Sequence, residues 1–385
     1  MAGRDTEDFE PLGHERDVED ESNGDDQVEQ AWERFRRIAF SRRTLVLGAI
    51  FVVLVIGFLY GVLPQLPGLQ ASLSKVKQGG DRSWLAGALA LELLSYASYI
   101  WLFRAVFIGE IPRVGWSGSY RISMAGVAAT RLLGAAGAGG IALTFWAVRK
   151  AGMGRRLSVS YLVAFYVLLY GIFMISLVVN GILLRTGAVP GNAPFGVTVV
   201  PAIFGGLVIV VFLVALLVPG NLERIADRWS HGRGRLAATM RRLTAVPALL
   251  SHGTRVAMTL LRRRDIGLLG AIGWWAFDVA TLWACFKAFG GAPPLAVLVM
   301  GYFVGMIANI IPTPGGVGAV EGGMIGTYAA FGVNLYVATT AVLAYRFFAF
   351  LLPTIPGLVA FLRLRRTVSA WEREDATIKS KVMPI

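Results

Sequence analysis

Between Lys287 and Arg346 the chain carries one charged side chain, Glu321. A run this long and this apolar is far from a soluble core, because about 20 apolar residues already cross a bilayer. Residues 157–184 and 186–222 are free of charge as well. The whole chain is 55% hydrophobic and only 16% charged, with mean hydropathy +0.61, the composition of a polytopic membrane protein. An all-α fold of about six transmembrane helices is expected, at 44–63, 84–103, 157–184, 196–218, 266–289 and 335–362.

The net charge of +13 conceals a division. Residues 1–33 hold 13 of the 24 acidic groups and two basic ones, so the remainder carries 35 basic against 11 acidic. The tail reads as acidic and disordered. A basic excess on the rest fits positive-inside topology rather than nucleic-acid binding. Arg34, Arg36, Arg37, Arg42 and Arg43 precede the first span and set the N-terminus in the cytoplasm. Because the tail before that span is polar, 44–63 reads as a retained span and not a cleaved signal peptide.

Two regions do not read as ordinary helices. "RLLGAAGAGGIAL" lies within 116–151, and "IIPTPGGVGAVEGGMIG" spans 310–326. Prolines and glycines at this density break a crossing helix. If each region enters and leaves on the same side as a re-entrant hairpin, the "RKAGMGRR" loop, the arginine-rich segment 221–264 and the "RLRR" tail all fall in the cytoplasm with the N-terminus. Drawing each hairpin as two short spans preserves that sidedness. An internal match supports the arrangement: "WLFRAVFIGEIP" (101–112) and "WACFKAFGGAPP" (283–294) share Trp, Phe, Gly and Pro at one offset, 283 − 101 = 182. Carried forward without gaps, it pairs Tyr120 with Tyr302, Met124 with Met306, Gly134 with Gly316, and Gly140 with Gly322. The two copies run in opposite directions, giving an inverted repeat of the kind transporters use.

The expected organisation is an acidic tail and basic juxtamembrane segment (1–43), a membrane half with the first hairpin at 116–151 (44–220), a basic cytoplasmic loop (221–264), a second half with its hairpin at 295–332 (265–365), and a cytoplasmic tail (366–385). The basic loop reads either as amphipathic helices on anionic lipid or as a solvated loop.

Irregular backbone at membrane depth survives only against protein or a water-filled cavity. Gly137, Gly139, Gly140, Pro312, Pro314, Gly315, Gly316 and Gly318 are the expected hairpin tips, whose freed amides suit an anionic headgroup. The alternative is a tight turn that only packs helices. Embedded charges add to this. Glu92, Asp278 and Glu321 are membrane-depth carboxylates, and Arg131 and Arg346 are membrane-depth cations. Each costs about 2.5–3.5 kcal/mol at mid-bilayer on insertion scales, so they are expected to pair, Glu321 with Arg346 and Arg131 with Asp278 or Glu92. Arg131 and Arg346 offer forked donors for phosphate. Glu321 is a candidate to bind a cationic headgroup, carry a proton or hold an arginine, with Glu92 and Asp278 in support. Structural stapling of helices is the competing role for these pairs.

Other signals are weak. The G-x-G-x-x-x-G in "GGVGAVEG" follows no strand, so it is no dinucleotide site. Trp274, Trp275 and Trp283 read as packing or interfacial anchors. A single cysteine, Cys285, excludes a disulfide framework and a multi-cysteine metal site. The three histidines, His14, His231 and His252, lie in the tail and the basic loop, and no catalytic set, metal site or cofactor site is expected.

"IPTPGGVGAVEGG" closely resembles the P-x-P-G-G-x-G-x-x-E signature of the lysylphosphatidylglycerol synthetase transmembrane-region family, membrane proteins of bacteria and archaea often described as flippase-like. Pro312, Pro314, Gly315, Gly316, Gly318 and Glu321 occupy the motif. "AYRFFAFLLPTIPG" resembles the family's arginine-bearing last span and places Arg346, Pro353 and Gly357; "ATRLLGAAGAGG" resembles its first glycine-rich hairpin and places Arg131. The resemblance covers roughly 44–365. It implies movement of a lipid, in the best-understood members aminoacylated phosphatidylglycerol, from the inner to the outer leaflet. About twenty residues follow the last span, so the aminoacyl-transferase domain of the full synthetase is not expected, nor is synthesis of lysyl lipid. Gly139 stands opposite Glu321 in the repeat, so the first hairpin lacks the matching carboxylate.

The expected function is translocation of an anionic phospholipid or lipid-linked headgroup between leaflets of a bacterial cytoplasmic membrane, with both termini inside and no nucleic acid or cofactor involved. A lipid-modifying enzyme and a second copy of the chain are candidate partners. An intramembrane polyprenyl or lipid transferase and a non-transporting scaffold for a lipid-modifying enzyme are the alternatives.

Overall fold

The computed structural model describes residues 80–132, 137–191, 194–217, 235–311, 313 and 316–382. The expected span at 44–63, the acidic tail, and Pro312, Pro314 and Gly315 lie outside the described residues.

All regular structure among the described residues is helical. Helices α1 (Arg82–Phe107), α2 (Trp116–Leu132), α3 (Ala138–Lys150), α4 (Arg155–Arg185) and α5 (Phe195–Leu217) come first, then α6 (Arg235–Arg262). A 3-10 turn (Ile266–Leu269) leads into α7 (Gly270–Ala288). Helix α8 (Leu295–Ile307) is prolonged by a 3-10 turn (Ala308–Ile310), and α9 (Ala319–Ala330) follows. Helix α10 (Leu335–Arg346) passes through a π-helical segment (Phe347–Leu351) into α11 (Leu352–Val382). Side-chain caps start α1 and α10: Asp81 accepts the Ser83 amide at 2.9 Å, and Asn334 accepts the Tyr336 and Val337 amides at 3.0 and 3.3 Å.

Among the described residues, five stretches are long and apolar enough to cross a membrane: Arg82–Phe107, Arg155–Arg185, Phe195–Leu217, Ile266–Ala288 and Leu335–Asp375. They coincide with five of the six spans expected, and the chain is an all-α polytopic membrane protein. Helix α5 shows which solvent it meets, leaving Ile203 64% and Leu217 80% exposed, as only lipid favours.

Inside, small residues bring backbones together, as they do in membranes where apolar burial drives little association. Helices α1 and α7 share a long face. The Ser95 hydroxyl donates to the Trp274 carbonyl at 2.9 Å, and a methyl on Gly273 would sit 2.6 Å from the Ser98 hydroxyl. Two short helix pairs pack the same way, α2 with α3 and α8 with α9. A methyl on Gly140 would lie 2.7 Å from the Gly126 carbonyl oxygen, so only glycine permits that approach. At 1.5 Å per residue these helices of 12 to 17 residues measure about 18–25 Å, short of a ~30 Å hydrocarbon core.

Polar contacts gather several ends. Arg113 pairs with Asp375 at 2.6 Å, Lys150 with Glu372 at 3.0 Å, and Arg121 donates to Thr367 at 2.5 Å. The start of α2 and the end of α3 therefore meet the polar end of α11. The end of α7 and start of α8 (Gly290, Pro294) instead share a cavity with Gly191 after α4 and with Phe331 and Asn334 between α9 and α10. The segment expected as a basic loop carries α6, which packs on α4 and α5. Its Gly253 abuts Val163, and the Arg255 guanidinium reaches the Leu216 carbonyl at 3.5 Å.

Candidate functional site

The first anchor of the site is the N-terminus of α9. Gly318 precedes that helix at φ 83, a left-handed conformation that glycine adopts without strain. Its freed amide donates to Glu321 Oε2 at 2.7 Å, one half of a capping box. The other carboxylate oxygen accepts from Arg346 Nε at 2.6 Å. The pairing expected from the sequence is thus present, and it is buried: Glu321 is 5% and Arg346 10% exposed. A helix cap fixes the carboxylate, and the carboxylate aims the guanidinium, whose carbon lies 4.9 Å from the centre of the Phe350 ring.

The second anchor is the π-helical segment. Within an α-helix the Ala349 carbonyl would accept from the amide of residue 353, which is a proline. Arg131, at the end of α2, uses the acceptor so released: it donates to the Ala349 carbonyl, to the Phe350 carbonyl at 3.0 Å and to the Tyr96 hydroxyl. Tyr96 in turn donates to the Ala349 carbonyl at 3.1 Å. Arg131 is therefore held by backbone carbonyls and a tyrosine, and not by an ion pair with Asp278 or Glu92; the pairing expected from charge alone gives way to acceptors that a proline made available. Its guanidinium carbon stands 5.6 Å from the centre of the Phe350 ring. Two arginines from different parts of the chain converge on one aromatic ring.

The third group is acidic. Glu92 on α1 and Asp278 on α7 are 1% and 5% exposed and lie against each other. Asp278 Oδ2 accepts from the Tyr302 hydroxyl and, at 3.1 Å, from the Tyr345 hydroxyl. Tyr345 adjoins Arg346, so the carboxyl pair and the Glu321–Arg346 pair meet on α10.

The glycines divide by role. Gly137 at φ 88 caps α3, and Gly316 at φ 68 leads to Gly318, both turn positions. Gly139 and Gly140 lie inside the first turn of α3, where they are buried as packing positions and do not form the turn itself. Sequence reasoning missed Tyr96, Tyr302, Tyr345 and Phe350 as partners of the charges. Pro353, in the first turn of the helix that follows Phe350, was the one local signal that the Ala349 carbonyl would lack its α-helical donor.

Comparison with known proteins settles the relationship. Residues 45–357 match the model of the lysylphosphatidylglycerol synthase TM region. The chain belongs to that family. Among curated relatives, a UPF0104 membrane protein of Methanothermobacter thermautotrophicus is 30% identical over 148 residues, 38% of this chain and 42% of the relative. A second protein of that name from the same organism is 25% identical over 150 residues, 39% and 40% of the two chains. A UPF0104 membrane protein of Methanocaldococcus jannaschii is 28% identical over 93 residues, 24% and 28%. The match thus spans under half the length of each of these relatives, all archaeal. The region shared with the lysylphosphatidylglycerol synthase family takes in the whole site, from Glu92 to Phe350. Among the described residues, no group of three or more His, Cys, Asp or Glu side chains is placed to hold a metal ion.

Proposed function

We propose that this member of the family moves an anionic phospholipid or lipid-linked headgroup between the two leaflets, with acyl chains remaining in lipid. One observation carries the reading: Arg131, from the end of α2, and Arg346, held by Glu321 from the start of α9, converge on Phe350 inside a helical membrane protein. A guanidinium pair around an irregular helix turn suits a phosphate, which each arginine can grip through a fork of donors. Neutral stapling would need no second cation beside the first. Glu321 orients Arg346 and selects the headgroup, while Glu92 and Asp278 support them.

Several features favour two re-entrant hairpins in an inverted repeat. Helix bounds recur near the 182-residue offset: α1 maps on the 3-10 turn and α7, α2 on α8, α3 on α9, and α4 on α10–α11. The start of α2 and end of α3 share the end of the molecule with Arg113, Lys150 and the polar end of α11. The start of α8 and end of α9 share the cavity with Gly191, at the far end of α4 from Arg155. On this reading the hairpins enter from opposite faces, and Arg131 and the Glu321–Arg346 pair meet at Phe350. The face with Arg113, Lys150, Arg155 and Arg156 is the cytoplasmic one, which puts the C-terminus inside. Alternating access between the halves exposes the arginines to each leaflet in turn.

The test is movement of labelled lipids in proteoliposomes, with phosphatidylglycerol, its aminoacylated form, a phosphatidylinositol-type lipid and a polyprenyl phosphate, each with and without a membrane potential and a pH gradient. Headgroup-selective movement that Arg346→Ala and Glu321→Gln abolish in folded protein is expected. Equal leakage of every lipid with every variant would remove the mechanism.

A further inference from the structure

We propose that Glu92 and Asp278 hold one exchangeable proton between them, and that this proton is bound together with an anionic headgroup at Arg131. The geometry is the ground for it. Glu92 Oε2 and Asp278 Oδ1 are each buried without a hydrogen-bond partner, although both side chains are at least nine-tenths buried. Buried polar atoms are rarely left so, and an orphaned pair marks a site for something small. Two carboxyl groups in contact satisfy each other when one carries a proton, since an ionised carboxylate only accepts. A calcium or magnesium ion would take six or more oxygens, whereas the carboxyl oxygens here come from two side chains.

The surroundings decide what the proton responds to. Arg131 faces the pair from α2, Tyr302 from α8, and Tyr345 from α10 with Arg346 beside it. Tyr96 stands one turn along α1, and Thr281 and Cys285 face Glu92 from α7. Helix α4 directs Tyr166 and Tyr170 toward Tyr99 and Trp275. Arg131 is thus the cation that both carboxyl groups feel. Its positive charge favours the ionised pair, and a phosphate bound to it cancels that charge. Proton and phosphate then strengthen each other's binding, by equal factors. This coupling rests on the reading of Arg131 as a phosphate ligand; the shared proton does not.

The experiment is infrared spectroscopy of the full chain in nanodiscs, following the carbonyl band of protonated carboxylic acids across pH, in zwitterionic lipid and with added phosphatidylglycerol. The expected result is a band near neutral pH that is lost in both Glu92→Gln and Asp278→Asn. Glutamine and asparagine can donate in place of the proton, and circular dichroism with size-exclusion profiles establishes that the variants fold. Phosphatidylglycerol should raise the midpoint pH of the band by about one unit, a tenfold linkage, and Arg131→Gln should abolish that rise while keeping the band. A band absent from wild type, or unchanged in both carboxyl variants, overturns the shared proton. The same lipid-dependent rise in Arg131→Gln reduces it to a surface-charge effect and overturns the coupling. None of these readings requires transport, so an intact band in a protein that moves no lipid sinks the translocation reading and leaves the proton site standing.

Discussion

Replacing Arg346 by methionine removes a cation from a site where its partner cannot reach water. Glu321, 5% exposed, would keep the Gly318 amide as a partner and lose the charge opposite it. Breaking a buried ion pair from one side costs about 3–5 kcal/mol, and loss of the contact with Phe350 adds on the order of 0.5–2 kcal/mol. Removing both charges has a different sign, because the stranded carboxylate is the larger part of that penalty. Glu321→Gln keeps an acceptor for the Gly318 amide, and methionine fills most of the arginine's volume. The double variant should therefore regain most of the loss, ending within about 2 kcal/mol of wild type. Reversible denaturant unfolding in mixed micelles, run on all four corners of the cycle, should return a coupling energy on the order of 2 kcal/mol or more. If the double variant is as unstable as Arg346→Met alone, the loss is one of packing, and the account of a buried, cap-held ion pair is wrong.

Three further perturbations test the surrounding structure. Gly140→Ala places a methyl 2.7 Å from the Gly126 carbonyl oxygen and should cost about 1–3 kcal/mol, whereas Gly322→Ala, inside α9 with open space around it, should stabilise by about 0.5–1 kcal/mol; thermal unfolding in detergent distinguishes the two. Pro353→Ala gives the Ala349 carbonyl an in-helix donor and should loosen Arg131, so its effect on lipid movement should be non-additive with that of Arg131→Gln in a double-mutant cycle. Asp375→Asn breaks an ion pair whose side chains are 27% and 48% exposed, and should cost less than about 1 kcal/mol, shrinking further in high salt, as unfolding at two ionic strengths will read.

The spans were legible because charge-free runs of helix length leave little choice in hydrocarbon, and five coincide with helices of the structure. The Glu321–Arg346 pair was legible for a related reason: two lone charges in one apolar region must meet. Arg131 was misread because charge counting supposes that a cation seeks a carboxylate. Its partners are two backbone carbonyls, one of them without an α-helical donor because Pro353 follows four residues later, and a backbone acceptor leaves no mark in a charge pattern. Tyr302 and Tyr345 escaped notice because tyrosine at membrane depth packs in many roles, and only the fold brings both hydroxyls to one Asp278 oxygen. Gly140 was assigned to a hairpin tip by composition, yet it serves the α2–α3 contact; glycine for a turn and glycine for close packing look alike until the neighbouring helix is in place.

The central claim is that the buried charges serve a lipid headgroup and not the fold alone. The direct measurement compares the initial rate of phosphatidylglycerol movement in proteoliposomes for wild type and for Glu321→Gln/Arg346→Met, the variant expected to keep its stability. Loss of movement in a protein that unfolds within about 2 kcal/mol of wild type is the predicted result. Equal rates for the two proteins would contradict it, and would return Glu321 and Arg346 to the role of a staple between helices.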